Sequence, residues 1–514
     1  MRVILLVHRY LGVVVGLIMV VWCLSGFVMM YQGYPRLTDT ERLRGLAPLK
    51  LQGLASGWAE SSGSSPAAAL SDEMGVRGFS IEMLAQRPVL RTVGPFGRKR
   101  VFDLQSGQVI RTIDAATAET VAQTFARGNH IAGQPHELGL IKDDQWTVQG
   151  ATQRGPVHHI RFDDPAGSEV YVAERTGEIV QATNRRVRFW SYLGAVPHWL
   201  YPVVLRRNGP LWDQVVVWSS LCGVFLTVTG AYVGISRFRL RVGTRRWSPY
   251  RGWFYWHHIL GLVFGVLTLT WVASGLFTMN PWGFLDTPVG LVERAQLAGP
   301  IAAADMRRFA VGAPSLPIRG IVQLEAVPLG GHLFVMALAA DGTRTRLNDT
   351  GVAQPLAESE LRDALAKLHG APLAALTRLD HEDAYYYSGY QHPVTLPVYR
   401  ARLADATATT YYLDAATGRL VDALDATAKE SRWLRTGLHD IDFTRTLRQR
   451  PLWDIAVLLL LAGVTTSCIT GAWLAIRRVI KDLRRLTLGL SRRPPRDERL
   501  AGELQSQQPE DAER

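Results

Sequence analysis

The chain has 514 residues, 47% of them apolar and 20% charged, with a formal net charge of +12. That length exceeds one ordinary core, and that composition excludes both a disordered chain and one that is membrane from end to end. Its three cysteines, Cys23, Cys222 and Cys468, all lie in apolar runs, which excludes a disulfide scaffold, a cysteine-ligated zinc site and an iron–sulfur cluster bound in cis.

Four stretches predict membrane-spanning helices, at 4–31, 214–235, 253–279 and 455–476. No charge falls between Tyr10 and Tyr34. The first stretch is too long for a secretory signal and lacks a small-x-small cleavage site, so it reads as a span. Arginines orient the spans. The loop 236–252 contains SRFRLRVGTRRWSPYR, with six arginines and no acid, and RRVIKDLRR follows the fourth span. Both are expected to be cytoplasmic, as is the tail 477–514, with both termini inside a bacterial inner membrane. The segments 32–208 and 281–450 then lie in the periplasm. The basic surplus reads as topology and contact with anionic membrane lipid, not nucleic-acid binding. Trp212, Trp282 and Trp453 sit near expected outer interfaces and read as belt residues.

The chain repeats itself. HRYLGVVVGLIMVVWCLSGF from His8 aligns without gaps on HHILGLVFGVLTLTWVASGLF from His257. Gly12 falls on Gly261, Gly16 on Gly265, Trp22 on Trp271, and Ser25-Gly26 on Ser274-Gly275. Pro210-Leu211-Trp212-Asp213 pairs with Pro451-Leu452-Trp453-Asp454, and Thr229-Gly230 with Thr470-Gly471. His198 and His439 each precede the aspartate of their PLWD by 15 residues. The expected architecture is a four-span helical membrane bundle with two α+β periplasmic domains, built by internal parallel duplication.

In the outer segments, VFDLQSGQVI (101–110), VYVAERTGEIV (170–180), RTRLNDTGVAQ (344–354) and YYLDAATGRLV (411–421) predict hairpins around glycine turns. ESELRDALAKLHG (358–370) predicts a helix. ASGWAESSGSSPAAAL (55–70) reads as a linker, and the tail after Ser491 as disordered.

The H-x-x-x-G openings of spans one and three, the PHWLY and PLWD segments and the paired T-G hairpins resemble the PepSY-associated transmembrane family, over about residues 5 to 480. The resemblance implies PepSY-like periplasmic domains. Some members are ferrisiderophore reductases with b-type haem held between histidines of the spans, and others are fused to flavoprotein reductase domains. No G-x-G-x-x-G after a strand and no flavin-binding segment is visible here.

A histidine inside a span is costly without a partner, which makes it a functional candidate. His8, Gly12 and Gly16 share one helix face, and His257, Gly261 and Gly265 repeat it. Imidazole ligates iron, and glycine lets a porphyrin plane approach a backbone. His8 and His257 are therefore the expected axial ligands of one haem, with His258 competing with His257. Arg9 is the expected propionate partner. His198 and His439 form a second pair near the outer surface, so two b haems are expected rather than one. A hydrogen-bonding role for each histidine and simple helix packing for the glycines are the alternatives. His158-His159 could bind a metal, although neighbours in a strand face opposite ways. HEDAYYYSGY (381–390) reads as a packed strand. No hydrolase motif is present.

The expected function is transmembrane electron transfer. A flavoprotein reductase or quinol would be the donor, and a ferric siderophore or similar chelate in the periplasm the acceptor. The alternative is a non-redox PepSY module, binding or inhibitory, anchored by inert helices.

Overall fold

The computed structural model describes residues 2–50, 77–94, 97, 99–238, 247–302, 304, 305, 308, 309, 320–368, 370–389 and 393–491. The stretch 55–70, residues 239–246 of the arginine loop, His369, His392 and the tail beyond Ser491 lie outside the described residues.

Short helical turns apart, the first half of the chain runs through α1 (Arg2–Met29), α2 (Asp39–Arg44), β1 (Gly78–Leu84), β2 (Arg87–Val93), β3 (Lys99–Asp103), β4 (Val109–Ile110), α3 (Ala115–Gly128), β5 (Pro135–Ile141), β6 (Val157–Phe162), β7 (Glu169–Ala173), β8 (Ile179–Thr183), α4 (Arg185–Leu193), α5 (Ala195–His198) and α6 (Gly209–Arg237). The second half runs through α7 (Trp253–Thr278), α8 (Leu291–Ala298), β9 (Ile321–Ala326), β10 (Val335–Ala339), β11 (Arg344–Leu347), α9 (Glu358–Ala366), β12 (Leu373–Leu379), β13 (Val398–Leu403), β14 (Thr410–Asp414), β15 (Leu420–Leu424), α10 (Ala426–Arg432), α11 (Leu438–Asp440) and α12 (Leu452–Ser491).

The chain divides into two compact units. The first comprises Met1–Leu24, Val217–Ala273 and Ile455–Arg514. Its helices belong to α1, α6, α7 and α12, each long and apolar enough to cross a bilayer. Val14, Leu17, Val263, Val266 and Leu459 are each at least 65% exposed. Such an apolar outer face needs lipid to cover it. Val15, Met19, Leu461 and Val464 are buried inside the unit. Cys23 and Cys468 place their sulfurs 3.8 Å apart.

The second unit comprises Ser25–Val216 and Ser274–Asp454. Its centre is a seven-stranded sheet of order β11-β10-β9-β1-β2-β3-β4, to which both halves contribute. The halves meet where β1 pairs antiparallel with β9, with Ile81 opposite Leu324. Side chains alternate across a sheet. Ile81, Leu90, Phe102, Leu324 and Val335 bury one face together with Phe309. The opposite face is buried by each half separately. In the first half, α3 inserts Ala118, Ala122 and Phe125 against Val89, Val101 and the sheet β5-β6-β7-β8. In the second, α9 inserts Leu361, Ala364 and Leu365 against Met336, Leu338 and the sheet β12-β13-β14-β15.

Local chemistry fixes the element ends. Asp114 caps α3 by accepting from the Thr117 N–H at 2.9 Å, and Asn184 caps α4 through Val187 at 3.0 Å. Gly177 and Gly418 turn the hairpins β7–β8 and β14–β15 at φ +65° and +74°. A Cβ on either would collide with Leu84 or Leu329 respectively, so these turns need glycine twice over.

Two expectations differ from the structure. In RTRLNDTGVAQ only the first arm forms a strand. The Asn348 side chain accepts from the backbone N–H groups of Thr350 and Val352, and the second arm makes a lone bridge between Ala353 and Leu347. Side-chain satisfaction of those donors favours a loop over a ladder. The described part of HEDAYYYSGY is a set of bends rather than a strand. Asp383 organises it, accepting from the backbone of Tyr385 and Tyr386, from Tyr412 Oη at 2.8 Å and from Arg400 at 3.1 Å. These contacts hold the Asp383 carboxyl below the usual carboxylate range against the opposing effect of burial.

Candidate functional site

Within the first unit, the rings of His8 on α1 and His257 on α7 lie 6.2 Å apart between centroids, with 25° between their planes. Each is held by a neighbouring helix in the same way. His8 Nδ1 donates to the Leu226 carbonyl of α6 at 3.0 Å, with Thr229 Oγ1 at 3.5 Å. His257 Nδ1 donates to the Ser467 carbonyl of α12 at 3.3 Å and to Thr470 Oγ1 at 3.2 Å. A carbonyl can only accept, so each Nδ1 carries the proton and each Nε2 keeps its lone pair. This is the tautomer a metal-ligating imidazole needs.

Gly230 and Gly471 make room for these rings. A Cβ on Gly230 would stand 2.7 Å from His8 Cε1, and one on Gly471 would stand 2.9 Å from His257 Cε1. The sequence shows the Thr-Gly pairs as a repeat. Their role, a hydroxyl and a gap for an imidazole on another helix, shows only once the helices are packed.

His258 is used otherwise. Its Nδ1 lies 2.9 Å from Ser248 Oγ and its Nε2 2.9 Å from the Gly234 carbonyl. With both ring nitrogens engaged, it serves α6 and the following turn. Arg9 Nε is buried without a hydrogen-bond partner. Such an orphan donor favours an anionic group beside it. The glycines differ between helices. A Cβ on Gly261 or Gly265 would meet nothing within 4 Å, whereas one on Gly16 would stand 3.8 Å from Ala472 Cα.

The second unit holds the other pair. His198, at the end of α5, and His439, in α11, have ring centroids 6.2 Å apart and planes at 72°. Ser25 Oγ is hydrogen-bonded to His198 Nδ1 at 3.1 Å, and Ser274 Oγ to His439 Nδ1 at 3.0 Å. Both serines are buried. The segments themselves are tied by indoles. Trp212 Nε1 donates to the Trp199 carbonyl at 3.0 Å, and Trp453 Nε1 to the Asp440 carbonyl at 2.6 Å. Each bond lands one residue after a histidine. Trp212 and Trp453 are thus positioning residues, beyond the belt role their sequence suggests. Trp282 is 78% exposed, as a belt residue would be.

A metal ion bonded to two imidazoles at about 2.0 Å each sets the ring centroids about 6 Å apart once the ring radii are added. Both pairs have that spacing. Among the described residues no group of three or more His, Cys, Asp or Glu side chains forms a metal site. A porphyrin supplies four of its own ligands and needs only two from the protein. The donor sets therefore fit a bis-imidazole haem.

His136, His158 and His159 are engaged in folding contacts. His158 Nδ1 lies 2.5 Å from Glu137, and its Nε2 3.1 Å from the Ile113 carbonyl. His159 Nε2 lies 3.1 Å from Glu169, and its ring stacks on Tyr171 at 4.6 Å. His136 pairs with Asp163 at 2.6 Å. The neighbours His158 and His159 do not share a partner.

No curated protein matches the chain. A family model described as the PepSY-associated TM region matches residues 5–478. The four apolar helices and the α+β sheets of this multi-pass membrane protein agree with that match, and the chain belongs to the PepSY-associated TM family.

Proposed function

We propose that this protein carries electrons across the bacterial inner membrane through two b haems and reduces a ferric chelate, such as a siderophore, in the periplasm. One observation carries the reading: two histidine pairs, each with ring centroids 6.2 Å apart, each supported by matched partners from the two halves.

His8 and His257 would hold the inner haem, and His198 and His439 the outer one. A b-type haem with two imidazole ligands supplies reversible one-electron chemistry when bound. The chain's own residues supply orientation. The Leu226 and Ser467 carbonyls fix the tautomer and rotation of the inner imidazoles. Ser25 and Ser274 orient the outer ones through their hydroxyls. The Arg9 guanidinium would meet a propionate. No acid–base residue is required, because iron reduction moves an electron alone. Reduction weakens hard-oxygen chelation and frees the metal.

The matched contacts support an internal parallel duplication. Leu226, Thr229 and Gly230 stand to His8 as Ser467, Thr470 and Gly471 stand to His257. The arginine loop and both termini would be cytoplasmic, with a flavoprotein reductase or quinol as donor. The residues of the second unit would face the periplasm.

An absorption spectrum of detergent-purified protein tests the reading. A Soret band with low-spin reduced α-bands that fade on adding a ferric chelate is expected. A colourless folded preparation would instead favour a binding or inhibitory module.

A further inference from the structure

The second unit contains a cavity of about 1200 Å³ that the haem reading does not use. Its floor is the centre of the seven-stranded sheet, on the face opposite Ile81 and Leu324. Glu82 of β1 and Gln323 and Glu325 of β9 look into it where the halves pair. Its walls come from both halves: α2, α3 and the β7–β8 turn on one side, α8 and the β14–β15 turn on the other. Apolar residues such as Val121, Phe125 and Leu297 share the lining.

The charges are unequal. Three carboxylates line the cavity, and each already has a cation. Glu82 pairs with Arg91 at 2.5 Å, both about 95% buried. Glu178 takes Lys99 at 2.9 Å, and Glu325 takes Arg419 at 2.9 Å. Arg42, Arg77 and Arg294 also line it. Among the described residues no ion pair joins these three to a cavity carboxylate. The carboxylate closest to Arg42 is Asp39 at 3.9 Å, whose side chain is 97% exposed.

Arg42 and Arg294 also match each other. Each follows a glutamate in the first turn of a short helix. Glu41 accepts from the Thr38 N–H at 2.8 Å, and Glu293 from the Gly290 N–H at 2.8 Å. Those acids are spent on capping their helices. Arg42 donates to Gln323 Oε1 at 3.0 Å, and Arg294 Nε to the Leu420 carbonyl at 3.1 Å. Neutral acceptors hold both guanidiniums at the cavity, and the acids that feel their charge, Asp39 for Arg42 and Asp422 for Arg294, lie outside its lining.

From this imbalance we infer that the cavity is a binding site for a bulky organic polyanion with an apolar or aromatic body, anchored by Arg42 and Arg294. Two guanidiniums in matched positions suit separate anionic groups on one molecule, each through charge-assisted hydrogen bonds. The volume exceeds that of a drug-sized ligand site, so a large ligand fits. A free polyanionic chelator and its trivalent-metal complex share this chemistry.

Calorimetric titration of the full-length protein in detergent tests the site. The probes are gallium tris-catecholate, a metal-free tris-catecholate bearing a sulfonate on each ring so that it is anionic at neutral pH, and an uncharged gallium trihydroxamate. Gallium is not reduced, so the outcome is independent of the haem reading. Saturable binding of either catecholate, with at least about tenfold weaker binding of the neutral complex, is expected. Arg42→Gln with Arg294→Gln should cost about tenfold or more. Arg42→Lys with Arg294→Lys should retain most of the affinity, and Arg362→Gln on the exposed face of α9 should change nothing. Binding of neither catecholate, equal binding of the neutral complex, equal loss in the lysine and glutamine variants, or unchanged affinity in the glutamine variant would overturn the assignment.

Discussion

The Trp453 indole N–H donates to the Asp440 carbonyl, one residue beyond His439. Trp212 makes the same bond beyond His198. These bonds join the start of α6 or α12 to the segment that carries a candidate ligand. Replacing either tryptophan by phenylalanine removes one hydrogen bond, a change of about 1 kcal/mol, while keeping most of the apolar bulk. The Trp453→Phe protein should keep the inner haem and lose outer-haem occupancy or shift its spectrum. Haem quantitation with redox-titrated spectra reads this. A spectrum identical to the parent would leave the tryptophan as a belt residue only.

Gly230 and Gly471 leave no room for a methyl group beside the inner imidazoles. Gly230→Ala and Gly471→Ala should each displace a ligand ring by a few tenths of an ångström or more. The expected result is an inner haem lost or made high-spin, with the outer haem intact. Gly261→Ala, where a Cβ meets nothing within 4 Å, is the contrast. It should matter only if a porphyrin plane occupies that space. Unaltered haem content together with an unaltered low-spin spectrum in Gly230→Ala would contradict the proposed packing.

His257 and His258 are separable by mutation. His257→Ala should abolish the inner centre. His258→Gln keeps polar atoms for Ser248 and Gly234, whose contacts to His258 are both 2.9 Å. It should retain both haems with modest loss of stability. The reverse pattern in haem content would move the ligand to His258.

The two pairs differ in ring orientation, 25° for His8 and His257 against 72° for His198 and His439. Near-perpendicular axial imidazoles give a more anisotropic low-spin ferric signal than near-parallel ones. Electron paramagnetic resonance of the oxidised protein should resolve two low-spin species. His198→Ala should remove the more anisotropic one. A single species at two haems per chain would contradict these orientations.

Arg91 and Glu82 form a buried ion pair, and Glu82 also accepts from Gln323 at 3.2 Å. Arg91→Met leaves the carboxylate buried without its cation and should cost about 3–5 kcal/mol. The double change Arg91→Met with Glu82→Leu should recover much of that. Thermal melts followed by tryptophan fluorescence check both, and an unaffected Arg91→Met melt would refute the pair's role.

Much of the local structure was legible from residues alone. Charge-free runs predict the spans, and glycine turns such as Gly177 and Gly418 predict three of the four hairpins in both arms. The shared sheet was not legible, because β1 and β9 pair across some 240 residues of chain and no local pattern encodes a partner that distant. The candidate ligands His8, His198, His257 and His439 stood out as repeated polar residues in or beside apolar helices. Their supports did not. Ser25, Thr229 and Thr470 are ordinary small polar residues, and the carbonyls of Leu226 and Ser467 have no side-chain signature at all. The cavity arginines were hidden among many others, since only packing shows which carboxylates are already paired.

Haem quantitation per polypeptide, by the pyridine haemochrome method on purified protein of known concentration, tests the central claim most directly. The account predicts two non-covalent b haems per chain, falling to one in His8→Ala and to one in His198→Ala. A parent protein that folds and holds none, or variants that hold as many as the parent, would contradict it.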